Sequence, residues 1–217
     1  MKKNLLFPLI MIVLLTLACK LPSLPGSGTD TSDPNILFSD DFSDTSSGWD
    51  VNSTSDGSVG YSNGTYRIAV STTDMMLWGN PYQNFQNDVR IVVDATKSGG
   101  PDDNALGIIC RYKDVDNFYL FIISSDGYAG IAIYKNDEFS MLSAEYMDTS
   151  DAIIQGAASN HIEATCIGST LTLFINGTQA SVATDSSFSG GDVGLFAKTF
   201  SEGNVDISFD NLVVSKP

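Results

Sequence analysis

The sequence predicts an all-β fold in which two antiparallel sheets pack as a sandwich. Every second side chain is apolar along residues 66–70, 89–95 and 171–175. A period of two is typical of half-buried strands. Asn-Gly and Asp-Gly pairs, which favour the type I′ turns of β-hairpins, separate such segments. These pairs are Asp56-Gly57, Asn63-Gly64, Asp126-Gly127 and Asn176-Gly177. After residue 35 no segment shows a convincing helical period, which favours a sandwich. Residues 146–159 fit either a short helical turn or a strand at Ile153-Ile154.

The N-terminal segment is typical of an export signal rather than of a membrane span. Lys2 and Lys3 begin it, and residues 5–17 are almost continuously apolar. As a helix this apolar stretch would cover only about 20 Å, whereas the hydrocarbon core of a bilayer is roughly 30 Å thick. The segment therefore predicts transport out of the cytoplasm.

The export signal ends in Leu15-Thr16-Leu17-Ala18-Cys19, which resembles the lipobox of bacterial lipoproteins. The resemblance implies that residues 1–18 are a cleaved signal peptide and that Cys19 is lipidated. Acyl chains such as palmitate would then anchor the protein, on the extracytoplasmic side, to the cell membrane or the outer membrane. The alternative is an ordinary cleaved signal peptide with a chance cysteine.

A flexible tether is predicted between the anchor and the folded domain. Residues 20–35 are mostly Pro, Gly, Ser, Thr and Asp, and they show no apolar period. We therefore divide the chain into a signal peptide (1–18), a lipidated cysteine with its linker (19–35) and a β-sandwich domain (36–217).

The acidic composition limits the classes of partner. The formal net charge is −15, and loss of Lys2 and Lys3 with the signal peptide gives 9 − 26 = −17. This charge argues against nucleic acid and against anionic lipid headgroups, because basic residues supply the affinity for both. It suits a solvated extracytoplasmic surface, and it would also suit cation binding.

Two cysteines, Cys110 and Cys166, fall within the domain. Each alternates in phase with aliphatic neighbours, so both are predicted to point into the core. An oxidising compartment would permit a disulfide between them, and two buried free thiols are the alternative. Two isolated cysteines lack the clustered spacing of a zinc site.

The domain resembles the concanavalin A-like jelly-roll superfamily of lectins and glucanases. The likeness is to its laminin-G-like and 3-keto-disaccharide hydrolase-type branch, and it covers residues 36–215. The residues that carry it are Asp40-Asp41-Phe42, Gly48-Trp49, Asn63-Gly64-Thr65-Tyr66, Gly107 to Tyr112, Asp116 to Tyr119, Ser125-Asp126-Gly127, Asn160-His161-Ile162, Leu171 to Gly177, Gly194-Leu195 and Phe209 to Leu212. The resemblance implies two curved sheets, the concave face of which often binds glycans.

No catalytic signature accompanies this resemblance. Glucanases of the superfamily carry paired carboxylates about 5.5 Å apart in a Glu-x-Asp-x-x-Glu strand. The four glutamates, Glu138, Glu145, Glu163 and Glu202, do not form this pattern. The single histidine, His161, has no nearby Ser or Cys nucleophile motif, so we expect a strand residue rather than a base. The sequence therefore predicts a protein that is not an enzyme.

Carbohydrate binding is the positive hypothesis. Aromatic faces contact the C–H surfaces of sugars, while a few polar groups hold the hydroxyls. The predicted ligand-binding residues are Trp78, Tyr82, Arg111, Tyr119 and Tyr134. Arg111 and Tyr119 are included because each lies on the opposite face of its strand from its neighbour, Cys110 or Phe118. This would place both on the outer or concave face of a sheet. The alternative is that the aromatic rings pack at strand surfaces and that Arg111 pairs with an aspartate.

A structural calcium ion is a second hypothesis. In related jelly rolls the first and last strands are neighbours and sometimes hold calcium, which implies Asp41 and Asp210 as ligands. The alternative is that both carboxylates bind backbone amides.

Three functions therefore remain open. The first is a non-catalytic surface lipoprotein that binds glycan, and the second is a module of the cell envelope that binds surface proteins or has a structural role. The third is a glycoside-acting enzyme of the keto-disaccharide hydrolase type. An aromatic groove would favour the first, an aliphatic face the second, and two converging carboxylates the third.

Overall fold

The computed structural model describes residues 33–217. The predicted signal peptide, Cys19 and most of the tether lie outside this range. In the described range no helix is long and apolar enough to cross a membrane.

Sixteen strands make up the described chain. They are β1 (Ile36–Asp40), β2 (Asn52–Ser53), β3 (Gly57–Ser62), β4 (Thr65–Val70), β5 (Met76–Gly79), β6 (Val89–Gly99), β7 (Asn104–Asp114), β8 (Asn117–Ile123), β9 (Tyr128–Lys135), β10 (Glu138–Met141), β11 (Asp148–Thr149), β12 (Ser159–Ile167), β13 (Thr170–Ile175), β14 (Thr178–Thr184), β15 (Asp192–Thr199) and β16 (Val205–Ser215). Residues 146–159 contain β11 and the start of β12, with no helix and no strand at Ile153-Ile154.

The strands form two antiparallel sheets. The first sheet has the order β14-β13-β12-β6-β16-β4-β3-β2, and β1 pairs with β16. The second sheet has the order β10-β9-β8-β7-β15-β5, and β11 pairs with β9. The prediction of an all-β, antiparallel two-sheet jelly-roll sandwich is confirmed.

The main core lies between the sheets and follows the predicted alternation. Ile68 of β4, Ile91 of β6 and Phe209 of β16 are fully buried from the first sheet. From the second sheet Ile108 of β7 and Phe121 of β8 face them in the same cluster. Burial of such side chains contributes roughly 1.5–3 kcal/mol each, so this layer supplies most of the stability.

The outer faces of the two sheets differ in polarity. Ion pairs lie on the first sheet, where Arg67 reaches Asp206 and Arg90 reaches Glu163, each at 2.6 Å and partly exposed. The second sheet instead has an apolar outer layer, which contains the buried side chains Ala105, Ile109, Phe118, Leu120, Ile122, Ala132 and Phe196. Strands that are buried on both faces read as continuous apolar runs, as residues 118–123 do.

A disulfide bond joins Cys110 of β7 to Cys166 of β12. It therefore links the two sheets through the core, where both residues are fully buried. The bridge closes a loop with a sequence separation of 56 residues. Closing a loop of this length restricts the unfolded chain, which stabilises the folded state.

We expect reduction of this disulfide to lower the free energy of unfolding by about 4 kcal/mol, on the basis of the loop-closure entropy. Urea unfolding of the oxidised and the reduced protein measures the difference. The Cys110→Ala/Cys166→Ala double variant is the control, because a reductant should leave its unfolding unchanged. Equal unfolding midpoints for the oxidised and reduced wild-type protein would contradict the expectation.

Candidate functional site

A cleft of about 260 Å³ opens at one edge of the second sheet. Its aromatic lining comes from Trp78 of β5, Tyr112 of β7 and Tyr82, which follows β5. Asp50 and Asn52 supply polar groups from the opposite side. We call this the aromatic cleft. Ligand sites typically combine apolar walls with a few convergent polar groups in this way.

The buried ring of Phe118 positions two of the aromatic walls. Its centroid lies 6.1 Å from that of Trp78 and 5.6 Å from that of Tyr112, which stacks at an interplanar angle of 30°. Phe118 lies on β8, so the ring that supports the cleft comes from the apolar outer layer of the second sheet. Partial burial in this environment raises the pKa of Tyr112.

The Asp50 carboxylate is held between the wall and the backbone. Its Oδ1 accepts a 2.5 Å hydrogen bond from the Tyr82 hydroxyl, and its Oδ2 accepts one of 3.0 Å from the Asn80 backbone N–H. The backbone carbonyl of Asp50 accepts a further bond of 2.8 Å from the Tyr66 hydroxyl. Asp50 therefore presents an oriented acceptor to the cleft.

Gly79 permits this arrangement. A Cβ at this position would lie 1.9 Å from the Tyr66 hydroxyl oxygen, which is closer than any side chain tolerates. The glycine thus lets the end of β5 approach the hydroxyl that holds Asp50. Desolvation by burial raises the pKa of Tyr66, so this hydroxyl stays a hydrogen-bond donor.

Tyr82 forms the exposed rim of the cleft. Its side chain is 70% exposed, and its backbone adopts a left-handed conformation with φ 56°. The hydrogen bond to Asp50 raises the pKa of Tyr82 to about 12. The phenol therefore keeps its proton, and remains a donor, throughout the physiological range.

A second carboxylate, Asp192, lies behind this rim. It is buried and accepts backbone hydrogen bonds from Gln83 at 3.2 Å and Val193 at 2.8 Å. Burial raises its pKa in spite of these bonds. Through the bond from the Gln83 N–H to its Oδ1, Asp192 holds the loop that carries Tyr82.

The predicted ligand residues separate into three environments. Trp78 and Tyr82 lie together in the aromatic cleft. Tyr134 lies on the same outer face of the second sheet but lines a different groove, where its ring stacks on Phe118 at 5.0 Å. The other two predicted residues, Arg111 and Tyr119, are buried.

The prediction that Arg111 contacts ligand is wrong. Only 2% of its side chain is exposed. Its guanidinium donates to Asp88 and to the backbone carbonyls of Cys166, Gly168 and Phe188, at 2.7–3.1 Å. The β7–β8 register shifts after Cys110, and Arg111 has φ 54°, so the predicted alternation fails at this residue. The alternative of an aspartate partner is the one observed.

The prediction for Tyr119 is also wrong. Its ring is fully buried on the inner face, and its hydroxyl donates to Asp185 at 2.5 Å while accepting from the Phe188 N–H at 3.1 Å. Phe118 takes the outer face instead. Because β8 is apolar on both faces, alternation could not show which of its sides is the outer one.

Sequence reasoning missed Tyr112, Asp50 and Asn52. The sequence did contain a signal for Tyr112. Because β7 and β8 form a short hairpin, Tyr112 near the end of β7 comes close to Phe118 near the start of β8. Asp50 carried no such signal, because its contact with Tyr82 spans 32 residues and depends on the packing of a loop against β5.

The two predicted calcium ligands lie near the joined first and last strands. Asp41 accepts from the backbone and hydroxyl of Ser43 at 3.0 and 2.6 Å, and Asp210 accepts from the Asn211 N–H at 2.7 Å. Within residues 33–217 no group of three or more His, Cys, Asp or Glu residues has the arrangement of a metal site. Calcium binding stays a prediction.

Comparison with known proteins identifies the fold but no family. No family model matches the chain. No curated protein matches it either.

Solved structures share this fold at low sequence identity. The carbohydrate binding module CBM66 from Bacillus subtilis is 22% identical, with 78% of this chain and 96% of that chain covered and a TM-score of 0.50. A protein of unknown function with a galectin-like fold, also from Bacillus subtilis, is 9% identical (83% and 96% covered, TM-score 0.60). The cellulose induced protein Cip1 is 14% identical (83% and 97% covered, TM-score 0.58). Likeness at such identities establishes the jelly-roll sandwich.

We expect Asp50→Asn to lower the pKa of Tyr82 from about 12 toward the ordinary tyrosine value near 10, because a neutral amide no longer favours the protonated phenol. NMR titration of ¹³C-labelled tyrosine measures the shift, and Tyr82→Phe assigns the resonance. Asp56→Asn is the control, since this carboxylate does not line the cleft. An unchanged Tyr82 titration in Asp50→Asn would contradict the described hydrogen bond.

We expect Arg111→Met to lower the free energy of unfolding by about 3 kcal/mol, because it leaves buried carbonyl groups without donors. Urea unfolding measures the loss. Lys113→Met is the matched control, since it removes the same charge from an exposed position of the same strand. Equal stabilities of the two variants would contradict a structural role for Arg111.

Proposed function

We propose that the protein binds carbohydrate in the aromatic cleft and performs no chemistry on it. The observation that carries this proposal is the Asp50 carboxylate, held 2.5 Å from the Tyr82 hydroxyl beside the rings of Trp78 and Tyr112. A sugar ring needs flat apolar surface for its C–H groups together with fixed acceptors and donors for its hydroxyls. The cleft presents both within one small volume.

Each cleft residue has a role in this proposal. Trp78 and Tyr112 pack against the C–H face of the sugar, and their support by Phe118 means that little side-chain freedom is lost on binding. Asp50 accepts a hydrogen bond from a sugar hydroxyl, either in place of the bond from the Tyr82 hydroxyl or in addition to it. Exposed Asn52 adds an amide that both donates and accepts at the rim.

The names of fold neighbours support the same ligand class. One neighbour is a carbohydrate binding module, and another is a cellulose induced protein. These proteins share the β-sandwich architecture, so their sheet faces offer comparable scaffolds. The residues of this chain carry the proposal itself.

The lack of catalysis is part of the proposal. Glycoside hydrolysis uses two carboxyl groups that flank the scissile bond, about 5 to 9.5 Å apart. Among the described residues that line the cleft, Asp50 is the single carboxylate. Asp192 is buried against the backbone, and His161 lies on β12 with its ring 2.7 Å from Asp94. Neither group lines the cleft as a partner for Asp50.

The proposed place of action follows from the N-terminal sequence. We propose that Cys19 carries the lipid anchor and that residues 20–35 hold the domain away from the membrane on the extracytoplasmic side. The cleft would then meet glycans at the cell surface. A surface protein is the alternative partner, and the experiment below distinguishes it.

We expect a glycan array probed with the purified full-length protein to give a saccharide hit that Tyr82→Ala weakens about tenfold, equivalent to about 1.4 kcal/mol. Tyr146→Ala is the matched control, because Tyr146 is 73% exposed, similar to Tyr82 at 70%, and does not line the cleft. A blank array, or a hit that Tyr82→Ala leaves intact, would contradict the proposal and favour the surface-protein partner.

A parallel array in EDTA tests the calcium hypothesis. Loss of the hit in EDTA, reproduced by Asp41→Asn or Asp210→Asn, would support a calcium ion that the site or the fold requires. Binding that is unchanged in EDTA would argue against a required ion.

A further inference from the structure

A second concave site lies on the outer face of the second sheet. It is a groove of about 290 Å³, near the lower end of the volumes of small-molecule sites. Leu120, Ile122 and Phe196, all buried, form its floor. We call it the apolar groove. The aromatic cleft and this groove share none of their lining residues.

The walls of the groove are adaptable and apolar. Met76 and Met147 line it, as does Phe139, which is 49% exposed on the edge strand β10. Methionine side chains are flexible and polarizable, so they adjust to an apolar ligand. A concave apolar surface with a few polar groups is the usual form of a small-molecule site.

A single cation lies at this groove. Lys198 of β15 pairs with Met76 across the sheet, and its ammonium lies 5.7 Å from the centroid of the Phe200 ring. Within residues 33–217 Lys198 forms no ion pair, and the same holds for Lys113, Lys135 and Lys216. Of these four lysines, Lys198 is the one that lines the groove. The Lys198 ammonium beside this apolar surface complements an anionic group on a ligand locally, in spite of the net charge of −15 of the whole chain.

We infer that the apolar groove binds a fatty acid, with the acyl chain along Leu120, Ile122 and Phe196 and the carboxylate at Lys198. Sugars fit this groove poorly, because Lys198 and the Tyr134 hydroxyl are the polar side-chain groups that its described lining offers. Most hydroxyls of a sugar would be desolvated there without partners. An acyl chain has no hydroxyl groups to desolvate. The carboxylate of the fatty acid supplies the negative charge that pairs with the Lys198 ammonium. The inference is independent of the proposed function of the aromatic cleft.

Titration of the purified full-length protein with sodium decanoate, followed by methyl NMR of ¹³C-methionine, tests this inference. We expect the Met76 and Met147 resonances to shift with saturation, whereas Met75, which packs on the main core, stays in place. Single Met→Leu variants assign the signals. No saturable shift of Met76 and Met147, or an equal shift of Met75, would overturn the inference.

The charge of Lys198 is tested with a matched pair of variants. Lys198→Met keeps an apolar stem, and we expect it to weaken decanoate binding at least tenfold while 1-decanol binding stays unchanged. Lys113→Met, which removes an exposed lysine that does not line the groove, should leave both affinities unchanged. Equal decanoate affinity in the wild type and Lys198→Met would overturn the assignment of the carboxylate to Lys198.

Discussion

The second sheet buries side chains on both of its faces, and the rest of the structure depends on this constraint. Its inner side chains, such as Ile108 and Phe121, pack against the first sheet. Its outer side chains, such as Phe118 and Leu120, are buried too, because partly buried residues of the same sheet and its loops pack against them. An apolar sheet face must be covered, and here aromatic and methionine side chains provide the cover. Both concave sites are built from that covering layer.

Phe118 links the two regions of the outer face. Its ring contacts Trp78 and Tyr112 on one side and stacks on Tyr134 on the other. The two sites nevertheless differ in their polar groups. The aromatic cleft presents the Asp50 carboxylate, whereas the apolar groove presents the Lys198 ammonium. The apolar outer layer of the second sheet thus lies beside two concave regions that differ in polarity and charge.

Short sequence patterns predicted the hairpin turns and the buried faces of strands, because these features depend mainly on neighbouring residues. Asn63-Gly64 and Asn176-Gly177 form hairpin turns with positive φ at both residues, as those pairs favour. The alternation along β4 and β6 identified their buried faces correctly. Alternation failed at Arg111, where a register shift turns the side chain inward, and at Tyr119, where both faces of the strand are apolar. The Asp50–Tyr82 contact depends on tertiary packing, which no short pattern reveals.

The most direct test of the cleft uses the two tryptophans of the chain, Trp49 and Trp78. Trp49 is buried in the main core, while Trp78 lines the aromatic cleft, so one protein contains both the probe and its control. ¹⁹F NMR of the 5-fluorotryptophan-labelled protein, titrated with the saccharide that the array selects, reports on each ring separately. We predict a saturable shift of the Trp78 resonance with Trp49 unchanged. Saccharide binding that leaves Trp78 unchanged, or that shifts Trp49 equally, would contradict carbohydrate recognition in the cleft.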